Sequence, residues 1–261
     1  IATTEGAELS SNSGIAHTRW STHGPPTDAN AHPHTDCSGS VAVVHNGIIE
    51  NYDALRSDLR EHGHQFSSQT DTEVIPHLIE AELSTGTEPR VAFRRAIAQL
   101  EGSFAVAAIV EGDGSVYAAR QGSPLVLGLD DNRRFLASDV PSFLEYTDEV
   151  VYLEDGDFVE INRIGYRITD IDGAVLERTP EHVDWQPEDA TRDGFSHYML
   201  KEIHEQPTAL GQTVKGRVDE SGAVSLEDFP PGTFADVDDV HFVACGTSYH
   251  AALYARRLLV D

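Results

Sequence analysis

Lysine is nearly absent from this 261-residue chain: Lys201 and Lys215 are the only two. Basic residues of either kind number 18 against 44 acidic ones, a formal net charge of −26. Nucleic acid and anionic membranes both need a positive footprint, so neither is an expected partner. The acids are scattered through the chain instead of forming one tail, which reads as a whole-surface property. Arginine in place of lysine, with abundant Asp and Glu, resembles the proteins of salt-loving archaea, whose self-repulsion is screened at high ionic strength. Cysteine is scarce too, with only Cys37 and Cys245. Two distant thiols exclude a disulfide scaffold and suggest a reducing, cytoplasmic setting. The longest apolar run, residues 104 to 110, is far too short for a membrane span. No basic segment followed by an apolar one opens the chain, so no secretory signal is expected.

Hydrophobic residues make up 39% of the sequence, enough for a sizeable core. Residues 40 to 45 read as a short strand ending in an Asn46-Gly47 turn. Helices are expected from the Asn51/Asp53 cap to Gly63, from near Thr72 through Leu83 with Pro76 in the opening turn, and over 89 to 100. Residues 103 to 110 read as a buried strand. Further strands follow at 116 to 119, 134 to 138, 150 to 153, 157 to 162, 166 to 171 and 174 to 177. Helices followed by this many closely spaced strands predict an α+β fold with helices covering antiparallel sheets. Composition changes after Thr179. Residues 180 to 215 read as a connector, and a strand at 240 to 244 followed by a helix to 259 reads as the opening of another α/β unit.

Three polar groups stand close together in the front half: His17-Thr18-Arg19-Trp20-Ser21-Thr22-His23-Gly24, His45-Asn46-Gly47 and Thr70-Asp71-Thr72-Glu73. Arg19 can clamp a carboxylate and Asp71 can hold an ammonium, a combination suited to a free α-amino acid. The two could equally form an ordinary ion pair, and Trp20 could be a core aromatic. Asn46 and Gly47 offer a side-chain amide and a backbone N–H that could surround a developing oxyanion, or they could form a plain turn. His17, His23, His32, His34 and His45 invite a metal, yet their spacing matches no zinc pattern and no cysteine cluster joins them. Neither a metal nor an organic cofactor is expected.

These segments, together with Asn30-Ala31-His32-Pro33-His34, resemble the glutaminase domain of the glutamine–fructose-6-phosphate aminotransferases. The resemblance implies a four-layer αββα sandwich of the amino-terminal-nucleophile type over residues 1 to 179. It also implies glutamine as the ligand. Arg19 and Asp71 would take its carboxylate and amine, Trp20, Thr22 and His23 would line the pocket, and Asn46 and Gly47 would form the oxyanion hole. In the family the nucleophile is an amino-terminal cysteine whose α-amine serves as base. This chain begins Ile1-Ala2, so a sequence lacking the family's first segment, and unable to hydrolyse glutamine as it stands, is expected. Cys37 has an ordinary peptide nitrogen and is not expected to replace that nucleophile.

The stretch from His197 to Pro207 resembles the segment joining glutaminase to sugar isomerase in this family, and Lys201 within it is not the family's carbonyl-reacting lysine. Cys245-Gly246-Thr247-Ser248-Tyr249 resembles the first phosphate loop of the isomerase, with Thr247 and Ser248 as sugar-phosphate ligands. Residues 216 to 261 would then be an incomplete isomerase domain, and the complete enzyme a homodimer acting on fructose 6-phosphate. Another amidotransferase, or a catalytically dead amino-acid-binding module, remains the alternative.

Overall fold

The computed structural model describes residues 12–19, 24–184, 194–214, 217, 233 and 237–260. The chain divides near residue 191 into two compact units.

The first unit opens with a short 3-10 turn, Asp28–Asn30, followed by strands β1 (His34–Thr35) and β2 (Val41–Ile49). Three helices come next: α1 (Tyr52–Glu61), α2 (Val74–Ser84) and α3 (Pro89–Ile97). Pro76 falls in the first turn of α2 and Pro89 opens α3, where a missing N–H costs no helical hydrogen bond. Strands then follow in close succession: β3 (Gly102–Val110), β4 (Val116–Gln121), β5 (Val126–Leu129), β6 (Arg134–Ala137), β7 (Glu149–Tyr152), β8 (Phe158–Ile161), β9 (Tyr166–Thr169) and β10 (Glu181–His182). They form a six-stranded sheet in the order β1-β2-β3-β4-β8-β9 and a four-stranded sheet in the order β10-β7-β5-β6, antiparallel between all the paired strands.

Period-two alternation sorts the central strands between two cores. Phe104, Val106 and Ala108 of β3 and Tyr117 and Ala119 of β4 pack with Leu59, Ile75, Ile79, Phe93 and Ile97 from the helices. Ala105 and Ala118, from the opposite face, pack with Leu127, Val151 and Leu153 of the second sheet region. The order is therefore helices, sheet, sheet. On the outer side of the second sheet, Val140, Phe143 and Leu144, from a 3-10 turn and the segment after it, cover Val126 and Val150. This is the expected α+β sandwich.

Within this unit three sequence expectations need correcting. Asn46-Gly47 does not end a strand. β2 continues through both residues, with Gly47 opposite Phe104 and Ile49 opposite Gly102. β5 has no counterpart among the strands expected from sequence, and residues 174 to 177 form no strand, only a single bridge from Val175 to Thr169.

The second unit contains α4 (Tyr198–Val214), which occupies much of the stretch read as a connector and carries Pro207 inside it, and α5 (Gly246–Val260). Residues 240 to 244 are not a strand. Among the described residues no neighbouring strand offers them a ladder of hydrogen bonds, and a lone extended segment has none of its own.

Candidate functional site

Arg19, Asn46, Gly47 and Asp71 line one cavity of about 250 Å³ together with His17, His32, His45, Ile48, Thr70 and Thr72. The four residues singled out from sequence thus converge, and their convergence is built by local hydrogen bonding. Trp20, Thr22 and His23 lie outside the described residues.

One wall is β2 itself. Gly47 has φ of +120°, and a Cβ there would lie 2.0 Å from the Ser103 carbonyl oxygen of β3. Only glycine allows the two backbones this approach while keeping Asn46 at the cavity. Asn46 is in turn oriented by His17. The Arg19 N–H donates to His17 Nδ1 at 2.9 Å, which leaves the ring proton on Nε2, and Nε2 donates to Asn46 Oδ1 at 2.7 Å. With Oδ1 engaged, the Asn46 Nδ2 group supplies the donor hydrogens. Arg19 adopts a left-handed backbone, φ +46°, and its guanidinium reaches the carbonyls of Pro25 at 3.1 Å and Gly24 at 3.3 Å.

The facing wall is the loop before α2. Asp71 is buried, and one of its oxygens accepts the Ile49 N–H at 2.8 Å, joining this loop to β2. Glu73, also buried, accepts four donors: the N–H and hydroxyl of Ser67 at 2.7 and 2.8 Å, and those of Ser68 at 2.7 and 2.6 Å. Burial alone would raise its carboxyl, but the Ser68 and Ser67 donors outweigh burial and hold it below the ordinary glutamate range. Arg56 completes the brace by donating to the Thr70 carbonyl at 2.7 Å. Asn30 spans to the Arg19 side, accepting from Gln69 N–H at 2.9 Å and donating to Pro25 O at 3.0 Å.

A row of imidazoles runs beside the cavity. The His17 and His32 rings lie 4.2 Å apart, the His32 and His34 rings 4.9 Å, and His34 Nε2 pairs with the Thr70 hydroxyl at 3.1 Å. Burial, then the neighbouring His17, His34, His45 and Arg19, lower His32 to about 3, and burial also lowers His34. Both rings are neutral near pH 7. Among the described residues, the carboxylate and the guanidinium that line the cavity are Asp71 and Arg19, of opposite sign. An α-amino acid carries the complementary pair, and a cavity of this size suits one such molecule better than a nucleotide.

Sequence reasoning singled out Asp71 but missed that Glu73 holds its loop. It treated His17 only as a metal candidate, and it passed over Asn30. The local sequence carried no cap signal for this role: Glu73 accepts from residues five and six positions before it and makes no side-chain cap bond to α2. In the second unit, Thr247 and Ser248 stand in the first turn of α5, where free N–H groups favour anions.

Residues 17–145 match the family described as a glutamine amidotransferase domain. Over 248 residues, 94% of this chain, the sequence is 50% identical to the isomerizing glutamine–fructose-6-phosphate aminotransferase of Halobacterium salinarum. It is 48% identical over 246 residues (93% of this chain) to the enzyme of that name from Streptomyces coelicolor. To the enzyme of that name from Thermus thermophilus it is 49% identical over 250 residues (94%). It covers 41%, 40% and 40% of these relatives, so the chain spans about two fifths of their length. Among solved structures, a glutamine phosphoribosylpyrophosphate amidotransferase from B. subtilis superposes with a TM-score of 0.51 and 25% identity. That match covers 61% of this chain and 35% of the other.

Proposed function

We propose that this chain, a relative of the glutamine–fructose-6-phosphate aminotransferases with a glutamine amidotransferase domain at residues 17–145, binds glutamine in the Arg19–Asp71 cavity. The observation that carries the reading is the meeting of Arg19, Asp71, Asn46 and Gly47 at one cavity from three separate segments. Arg19 takes the α-carboxylate by paired N–H donors, and Asp71 takes the α-ammonium. The side-chain amide then lies toward Asn46 and Gly47. When a thiolate attacks that amide, negative charge grows on its oxygen. The Asn46 Nδ2 and Gly47 N–H groups stabilise the charge, and His17 keeps the Asn46 amide in the donor orientation.

The attacking thiol is not among the described cavity-lining residues. Cys37 contacts His64 and His77 instead. In this reading the cavity holds glutamine or glutamate, and the thiol comes from outside these residues. A chain extended at its amino terminus by a processed cysteine has both nucleophile and amine base. Ammonia released there serves the amination and isomerisation of fructose 6-phosphate in a homodimeric enzyme, with Thr247 and Ser248 among its phosphate ligands. In this reading a glutaminase domain ends near residue 179, a connector runs to 215 and an isomerase domain starts at 216. The two free thiols support a reducing, cytoplasmic setting; no helix among the described residues is long and apolar enough to cross a membrane. The acidic, lysine-poor surface supports a high-salt habitat.

Isothermal titration with glutamate and glutamine at high salt tests the binding. The parent chain should bind. Arg19→Ala and Asp71→Asn should each weaken binding at least tenfold. Binding unchanged in both variants would overturn the assignment.

A further inference from the structure

Outside the residues that line the cavity, four potential metal ligands converge. Cys37, in the turn between β1 and β2, His64, just after α1, and His77 and Glu80, one turn apart on α2, each offer a ligand atom, all within 4.8 Å of one another. Cys37 Sγ is 3.6 Å from His77 Nδ1 and 3.9 Å from His64 Nδ1. Glu80 Oε2 is 3.3 Å from His77 Nδ1 and 2.8 Å from His64 Nδ1. Around a tetrahedral zinc ion with Zn–S of about 2.3 Å and Zn–N or Zn–O of about 2.0–2.1 Å, neighbouring ligand atoms stand roughly 3.3–3.6 Å apart. Of the four separations given, 3.3 and 3.6 Å match those edges, while 2.8 Å is shorter and 3.9 Å longer, so small side-chain adjustments would seat the ion.

Hydrogen bonding within the cluster leaves one of its nitrogens, His77 Nε2, unserved. For His77 Nδ1 to donate to Glu80, Nε2 must be the unprotonated nitrogen. Nε2 is buried without a hydrogen-bond partner, 4.0 Å from the Glu73 carboxylate, so its lone pair would face a negative charge. The opposite tautomer puts the proton on Nε2 toward Glu73, and the Nδ1 lone pair then faces Glu80 Oε2 and Cys37 Sγ. In that tautomer Nδ1 can bind a cation, as can the Cys37 sulfur once deprotonated. Glu80 Oε2 is held by His64 and by the Cys37 N–H at 3.3 Å, and Glu73 stands behind the histidine as an outer carboxylate.

We propose that Cys37, His64, His77 and Glu80 form a structural zinc-binding site. Four protein ligands of thiolate, imidazole and carboxylate type favour Zn²⁺ and leave no open position for a substrate. On binding, the Cys37 thiol releases its proton to solvent. The ion ties the β1–β2 turn, the end of α1 and α2 into one node. It thereby fixes both ends of the segment from His64 to His77, which carries Asp71. Sequence spacing gave no hint of this centre, because its ligands come from three separate elements.

The test uses the 261-residue chain, stripped with a chelator and titrated with Co²⁺ as a spectroscopic probe, then with Zn²⁺. Retained zinc is counted by mass spectrometry after gel filtration. One ion per chain is expected, with the intense visible bands of tetrahedral cobalt, a thiolate-to-cobalt charge-transfer band and displacement of both by zinc. Cys37→Ser should lose the charge-transfer band, Glu80→Gln should lower affinity at least tenfold, and Cys245→Ser should change neither. Circular dichroism reports whether each variant folds. A charge-transfer band that persists in Cys37→Ser, a weak octahedral cobalt spectrum without a thiolate band, or no retained zinc would overturn the proposal.

Discussion

Replacing Glu73 by glutamine keeps the shape of a buried side chain and removes half of its accepting capacity. The carboxylate receives two donors from Ser67 and two from Ser68. A glutamine oxygen can serve one of these pairs. Its amide nitrogen then confronts the other pair, donor against donor. Leaving a buried donor without a partner costs about 1–3 kcal/mol, and changing the surviving bonds from charged to neutral costs about 1 kcal/mol each. A loss near 3 kcal/mol is expected, read as a lower urea midpoint at unchanged slope at high salt. Because the same loop presents Asp71, glutamate affinity should fall with it. The carboxyl lies below its ordinary value in the fold. The unfolded chain therefore takes up the proton first as pH falls. Glu73 contributes its full stability above about 4.5 and loses it as pH drops through the folded value. The Gln variant should lack this part of the acid dependence. A change below about 0.5 kcal/mol, the scale of an ordinary surface substitution, would refute the bracing role.

In an amino-terminally extended, active chain, Asn46→Ala should lower turnover by about 3 kcal/mol of barrier with little change in glutamine affinity, and Arg19→Ala should chiefly raise KM. Steady-state kinetics would refute the roles if the two effects were exchanged. Gly47→Ala drives a methyl into the Ser103 carbonyl oxygen and should cost about 3 kcal/mol or more in chemical denaturation, whereas a midpoint within error of the parent would contradict the close strand approach. His32 is held neutral, so its ring should show no proton uptake by NMR until well below pH 6.5, and a midpoint near 6.5 would refute its burial among the other imidazoles. Arg178 donates through two nitrogens to buried Asp157 at 2.8 and 3.0 Å, so Arg178→Lys should lower stability by about 2 kcal/mol in thermal unfolding despite keeping the charge.

The three helices and most strands were legible because their signals are local. Leu55 and Leu59 mark one face of α1, and Pro76 and Pro89 fit helix openings. The Asn46-Gly47 misreading shows where locality ends. The pair is a turn signal by composition, but its conformation is fixed by β3, more than fifty residues further on, with Gly102 as the matching gap on the other strand. β5 was invisible for a related reason: four residues containing Gly128 acquire strand geometry only between β6 and β7. At the cavity, Arg19 and Asp71 were readable from charge and chemistry. The residues that hold them were not, since nothing in the local sequence links Asn30 to Gln69 or His17 to Asn46.

The pairing of β2 with β3 also imposes an order on the birth of the cavity. Every described residue lining it lies between His17 and Thr72, yet the strand that holds Asn46 and Gly47 has its register partners at residues 102 to 110. During synthesis Asn46 and Gly47 leave the ribosome first and must wait for the helices and loops between Ile49 and Gly102 before their wall can set. The second sheet contributes no lining residue, so the wall can set before that sheet is made. Closing the long β2–β3 connection is then the slow search, with α1, α2 and α3 forming locally inside the loop it closes.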